Sequence, residues 1–148
     1  MLAPVPGRVV TLSDVPDPVF AEAMVGPGIA IEPLRAARVT AVAPADGVVG
    51  ALHAHAFALE CEGDRSVLVH LGIDTVGLKG LGFQLHVAAG DTVRAGDKVV
   101  TWSPVDVAAA GLPTVCPVVA LQADGAAVTP LVTAGDDVEA GSPLLDWA

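Results

Sequence analysis

The chain has 148 residues, 53% of them apolar and 16% charged, with 17 acidic side chains against 7 basic ones and a formal charge of -10. A length of this order suits one domain, expected over residues 1–148, and the apolar content excludes disorder. No run approaches the roughly 18 uninterrupted apolar residues of a membrane span, and the acidic balance argues against nucleic acid or an anionic membrane and favours a basic protein partner.

MLAPVPGRVV at the N-terminus lacks the charged, apolar and small-residue sequence of a secretory leader, so the cytoplasm is the expected compartment. Short apolar runs bounded by turn residues follow at Ile29–Ile31, Arg38–Val42, Val48–Leu52, Phe57–Cys61, Val67–Leu71, Val99–Trp102 and Val115–Leu121, the pattern of many short strands. One helical turn is expected at Val105–Ala110, between Pro104 and Gly111, with Asp106 favouring its start through the helix dipole. Cys61 and Cys116 belong to no CxxC pair and read as small core residues.

Two internal echoes point to repeated supersecondary units. APVPGRVVTL (Ala3–Leu12) returns as APADGVVGAL (Ala43–Leu52), and AGDTVRAGDKVV (Ala89–Val100) returns as AGDDVEAGSPLL (Ala134–Leu145). In the second echo Gly90 and Gly135 suit positive-φ turns, Val93 and Val138 point into a core, and Gly96 and Gly141 begin the next turn. The GDxVxxG unit resembles the hairpin of lipoyl and biotinyl domains and of sandwiches made from two such halves. The expected fold is therefore all-β, an antiparallel β-sandwich or flattened barrel of two similar halves with at most short helical turns.

VLVHLGID places His70 in an apolar strand, and HAHAFALECEGDRS supplies a preceding strand with a turn near Glu62-Gly63. A two-residue loop there sets His55 opposite His70, and a four-residue loop makes them diagonal neighbours on one face. A three-residue loop sends them to opposite faces. A pair of facing imidazoles repels itself when protonated, so a purely structural origin is disfavoured. Neutral imidazole is instead a good nucleophile near pH 7 and, once phosphorylated, a good leaving group, which suits phosphoryl relay between proteins. A second histidine and the N–H groups around Gly72 can stabilise the phosphoryl oxygens, while Asp74 suits orienting an imidazole or receiving a cation.

HAFALE, VLVHLGIDTVGLKGLGF and SDVPDPVFAEAMVGPGIAIEP resemble enzyme IIA of the glucose-type family in the bacterial sugar phosphotransferase system, in order from about residue 3 to 146. The resemblance implies that the general phosphocarrier HPr phosphorylates His70, that His55 contacts the phosphoryl group, and that a cysteine of a membrane-associated IIB domain accepts it during sugar uptake. It also implies an apolar docking patch of Val19, Phe20, Val25 and Leu68, and acidic residues Asp17 and Asp74 meeting a partner's arginine. Regulatory contacts with permeases, glycerol kinase or a cyclase would use the same surface. No cofactor or metal is required, although His55 and His70 can hold an adventitious zinc. This chain departs from the family at His53, where a threonine is common two positions before the second histidine, and at Leu68, where phenylalanine is frequent. His86 has no implied role and reads as a surface residue.

Two further chemistries fit parts of the sequence. His53-Ala54-His55 with His70 and Asp74 resembles the ligand set of lysostaphin-like zinc hydrolases, though those place HxxxD before HxH. A swinging-arm carrier would need a lysine at a hairpin tip beside methionine or lysine, and neither Lys79 nor Lys98 has that flank.

Overall fold

Glycine-punctuated hairpins and short β-branched runs account for nearly all the regular structure of the chain, which a computed structural model describes over residues 1–148. The strands are β1 (Gly7–Val10), β2 (Gly28–Pro33), β3 (Val39–Val42), β4 (Gly47–His53), β5 (Ala56–Cys61), β6 (Arg65–His70), β7 (Gln84–Leu85), β8 (Thr92–Val93), β9 (Lys98–Trp102), β10 (Cys116–Ala120), β11 (Val128–Pro130), β12 (Asp137–Val138) and β13 (Leu145–Trp147). All paired strands are antiparallel. They form an eight-stranded sheet in the order β12-β1-β2-β10-β6-β5-β4-β8, a three-stranded sheet β3-β9-β7 and a β11-β13 pair.

Side chains from the two larger sheets meet in one core. Val9, Ile31, Val49, Phe57, Leu59, Val67, Val69 and Val118 come from the eight-stranded sheet and Val39, Ala41, Val99, Val100 and Trp102 from the other. The strand period is visible in β6, where Val67 and Val69 are buried while Leu68 and His70 on the opposite face are partly exposed. A smaller cluster of Leu12, Val15, Phe20, Ala30, Ile73, Val115 and Val119 lies on that opposite face.

The echoes pair crosswise. Gly7 of the first copy faces Val138, and Gly47 of the second copy, forty positions on, faces Val93, forty-five positions before Val138. The same exchange governs the connecting hydrogen bonds: Val9 N–H donates to the Asp136 carbonyl (2.8 Å) and Val49 N–H to that of Asp91 (2.9 Å), while Gly135 N–H donates to Val9 and Gly90 N–H to Val49. Gly90 and Gly135 adopt φ of 92° and 97°, as the turn at the head of each unit demands. The two halves therefore interlock, each presenting a strand to the other's hairpin.

The short helix α2 (Pro104–Ala109) opens at the expected place, with Ser103 Oγ accepting from the Asp106 N–H at 3.1 Å. A second short helix, α1 (Pro18–Ala21), was not evident from periodicity. It is set by local chemistry, an Asp17 carboxylate accepting from the Val19 N–H at 2.9 Å followed by proline at the first helical position.

The β5–β6 loop corrects the expected register. It has three residues, Glu62-Gly63-Asp64, with Gly63 at φ 73° and Asp64 at φ 56°, and Cys61 pairs with Arg65 and Ala56 with His70. By alternation alone His55 would then face away from His70.

Candidate functional site

The two imidazoles nevertheless meet, with ring centroids 5.1 Å apart in an edge-on arrangement of 69°. The reason is that His55 is not a strand residue. A bulge after Val49 shifts the β4–β5 register, so His53 pairs with Ala56 and leaves Ala54-His55 as a two-residue turn. Turn residues are free of the strand's two-residue alternation. The turn is tied across to the end of β6 by the Leu71 N–H donating to the His55 carbonyl at 2.7 Å.

His70 is the last residue of β6, where the chain leaves the sheet through Gly72. Its Nδ1 lies 2.5 Å from the Gly72 carbonyl oxygen. A carbonyl only accepts, so Nδ1 carries the proton and Nε2 of the neutral ring carries the lone pair. Gly72 takes φ 74°, and a Cβ there would stand 2.7 Å from Thr75 Cγ2 and 2.9 Å from the Pro113 carbonyl. Behind it, buried Thr75 donates from Oγ1 to the Leu71 carbonyl at 2.7 Å, and the Ile73 N–H donates to Pro113. These contacts fix the carbonyl that fixes the imidazole. The sequence points to the N–H groups near Gly72, whereas the structure orients the ring with the Gly72 carbonyl, backed by Thr75, neither of which a sequence pattern marks.

The electrostatics keep both rings neutral near pH 7. Burial lowers the pKa of His70 below its ordinary value, opposed by the Gly72 hydrogen bond and by the charges of Asp17 and Asp74. Burial also lowers that of His55, helped by the neighbouring His70 and His53. Asp74, exposed and in a left-handed conformation with φ 61°, makes no hydrogen bond to His70. It acts on the ring through charge, and orientation comes from Gly72.

Phe20 packs against His70 with centroids 5.4 Å apart, and at 7% exposure it supports the ring from within. Of the four expected docking residues, Val19 is exposed, Val25 and Leu68 are half-buried against the smaller cluster, and Phe20 offers little surface. Met24 and Val76, both exposed and not anticipated, lie on the segments that carry Phe20 and Asp74. His53 stacks on His55 at 5.6 Å and 29°. His86 lies apart at the surface, with Nε2 2.7 Å from Thr101 Oγ1.

The zinc-hydrolase reading does not survive this geometry. Nowhere do three histidine, cysteine, aspartate or glutamate side chains converge as a metal would need, His53, His55, His70 and Asp74 included. Cys116 is fully buried, with its thiol pushed up to about 12 by desolvation, and Cys61 is partly buried and also raised by desolvation, which disfavours the thiolate form in both. No helix is long and apolar enough to cross a membrane.

Residues 1–126 match the family model described as phosphoenolpyruvate-dependent sugar phosphotransferase system, EIIA 1. The chain is 36% identical over 126 residues to the PTS system glucose-specific EIIA component of Oceanobacillus iheyensis, covering 84% of this chain and 74% of that protein. It is 44% identical over 124 residues to the PTS system glucose-specific EIIBCA component of Corynebacterium glutamicum, covering 82% of this chain and 18% of that much longer protein. Among solved structures, the glucose permease IIA from Mycoplasma capricolum superposes with a TM-score of 0.86 at 33% identity, covering 97% of this chain and 92% of the other.

Proposed function

The chain belongs to the EIIA 1 family of the phosphoenolpyruvate-dependent sugar phosphotransferase system, and from that premise we propose that it is a phosphocarrier in which His70 takes a phosphoryl group from HPr and yields it to a cysteine of a sugar-specific IIB domain. The observation that carries this reading is the His70 Nδ1 contact to the Gly72 carbonyl, which leaves an unprotonated Nε2 beside a second neutral imidazole.

In the forward step the Nε2 lone pair attacks phosphorus, and the bond from phosphorus to the donor breaks with its electron pair leaving on the donor. Nδ1 keeps its proton, held by Gly72. His55 donates a hydrogen bond to the phosphoryl oxygens, supplying stabilisation where charge accumulates. Transfer to the thiolate of IIB reverses the sequence at Nε2. Asp17 and Asp74 receive an arginine of the partner at the rim, and Val19, Val25 and Leu68 form the apolar contact, with Phe20 backing the reactive ring. Relatives that carry EIIA together with EIIB and EIIC in one chain support IIB as the acceptor. The working unit is the IIA domain over residues 1–148, acting in the cytoplasm without a cofactor.

The test is incubation with phosphoenolpyruvate, enzyme I and HPr followed by mass spectrometry. Wild type gains one phosphoryl group and His70→Ala gains none. His55→Ala is labelled but fails to hand the group on. Equal labelling of wild type and His70→Ala overturns the assignment.

A further inference from the structure

The orientation of His55 raises its own question, because the hydrogen bonds made by histidine rings in this protein belong to His70 and His86, and none holds the ring of His55. Its backbone is anchored through Leu71. Its side chain makes two ring contacts. The contact with His70 is edge-on at 5.1 Å, and His53 stacks at 5.6 Å with the planes inclined by 29°. Both separations fall in the range where aromatic pairs attract.

We propose that His53 is a positioning residue, a shelf whose ring face holds His55 edge-on to His70. The proposal rests on the phosphocarrier reading for its kinetic consequence but not for its geometry. His53 ends β4 in register with Ala56, so its backbone is set by the sheet while its side chain is exposed. A strand-anchored ring beside a turn-borne ring restricts the rotamers open to the second, and a fixed ring is what His55 needs to meet phosphoryl oxygens in a fixed place. The shelf also bears on charge, since burial first, and then His70 and His53 beside it, disfavour protonation of His55.

Three variants separate ring from charge and from hydrogen bonding. His53→Ala removes the shelf, His53→Phe keeps a flat face without a titratable group, and His53→Gln keeps polarity without a ring. In the NMR spectrum of the unphosphorylated protein, His53→Ala and His53→Gln should lose the His55–His70 ring contacts, and His53→Phe should retain them. In rapid-quench transfer to a IIB domain, His53→Ala and His53→Gln should be slowed about tenfold, with a smaller loss in accepting the group from HPr. His53→Phe should recover most of the rate. Persistence of the ring contacts in His53→Ala refutes the shelf whatever the fate of the phosphocarrier reading, and so does a His53→Phe protein as slow as His53→Ala. A wild type that HPr cannot label refutes the reading of function, and the ring contacts still judge the shelf.

Discussion

Gly72→Ala should damage both stability and transfer, whereas Gly63→Ala, at nearly the same φ, should damage neither seriously. The two glycines have φ of 74° and 73°. Placing an L side chain in this left-handed region costs about 1–2 kcal/mol at each. They differ in room. Nothing lies within 4 Å of a Cβ at Gly63, but one at Gly72 would approach Thr75 Cγ2 to 2.7 Å and the Pro113 carbonyl to 2.9 Å. Neither neighbour yields easily, because Thr75 is fully buried and hydrogen-bonded and the Pro113 carbonyl accepts from Ile73. Overpacking of this kind adds about 1–3 kcal/mol, so the total at Gly72 is about 2–5 kcal/mol. Against a typical domain stability of about 5–15 kcal/mol the variant folds unless both figures fall at their unfavourable ends. Urea denaturation measures the difference directly. The displaced Gly72 carbonyl also releases Nδ1 of His70, freeing the ring to take the other tautomer, which 15N spectroscopy of the imidazole reports. Labelling by phospho-HPr should fall in Gly72→Ala and hold in Gly63→Ala. If the two variants are equally stable, or if Gly72→Ala labels at the wild-type rate with its tautomer unchanged, the reasoning from steric room to ring orientation is wrong.

The pH dependence follows from the same rings. Both His55 and His70 titrate below the ordinary 6.5, so as pH falls the unfolded chain takes up protons first; stability is full above about 6.5 and is lost as pH falls through the folded values. Thermal melts should show this loss, shallower in His55→Gln/His70→Gln, and parallel curves would contradict it. Labelling of His70 should persist to a lower pH than a free imidazole allows, and an apparent pKa at or above 6.5 for acceptance would contradict the burial argument. Val9→Ala and Val49→Ala remove equivalent side chains, each 1% exposed, from the crossed halves; each should cost about 2 kcal/mol by denaturation, and a clear inequality would argue against equivalent packing. Arg65 donates to the Trp147 carbonyl at 2.7 Å and lies 5.0 Å from the indole centre, at the end of β6 remote from His70; Arg65→Ala should cost about 1–2 kcal/mol and leave labelling unchanged.

The meeting of His55 and His70 was legible in the sequence, but through the wrong geometry. Register counting assumed that both residues were strand residues, and two loop lengths then brought them together. The observed loop has the third length, Glu62-Gly63-Asp64, for which counting sets them apart. What sequence patterning could not reveal was the bulge after Val49, which makes Ala54-His55 a turn. A bulge depends on how one strand fits its neighbour, and no local residue pattern states it unambiguously. Gly72 stood out in the sequence only for the N–H groups around it, whereas the direction of its carbonyl depends on Thr75 and Pro113, which are buried or distant partners. Strands β2 to β6, β9 and β10, by contrast, were legible because β-branched runs bounded by glycine and proline report burial and turning locally, while β1 and the two- and three-residue strands carry too short a pattern to stand out.

The crossed duplication explains why there is one site in a molecule built from two halves. None of the residues around His70 lies in an echoed stretch. Those stretches pair with each other and bury Val9, Val49, Val93 and Val138 as a frame. The chain leaving the first copy passes through α1 and lays Phe20 against His70 at 5.4 Å; the chain leaving the second copy turns at once through His53 and His55, reaching the same ring at 5.1 Å. A symmetric frame therefore delivers two unlike exits to one corner, the end of β6, where Gly72 sets the reactive nitrogen. It follows that the frame can vary within the limits of packing without disturbing the chemistry, while the exits can change partner and rate without disturbing the fold.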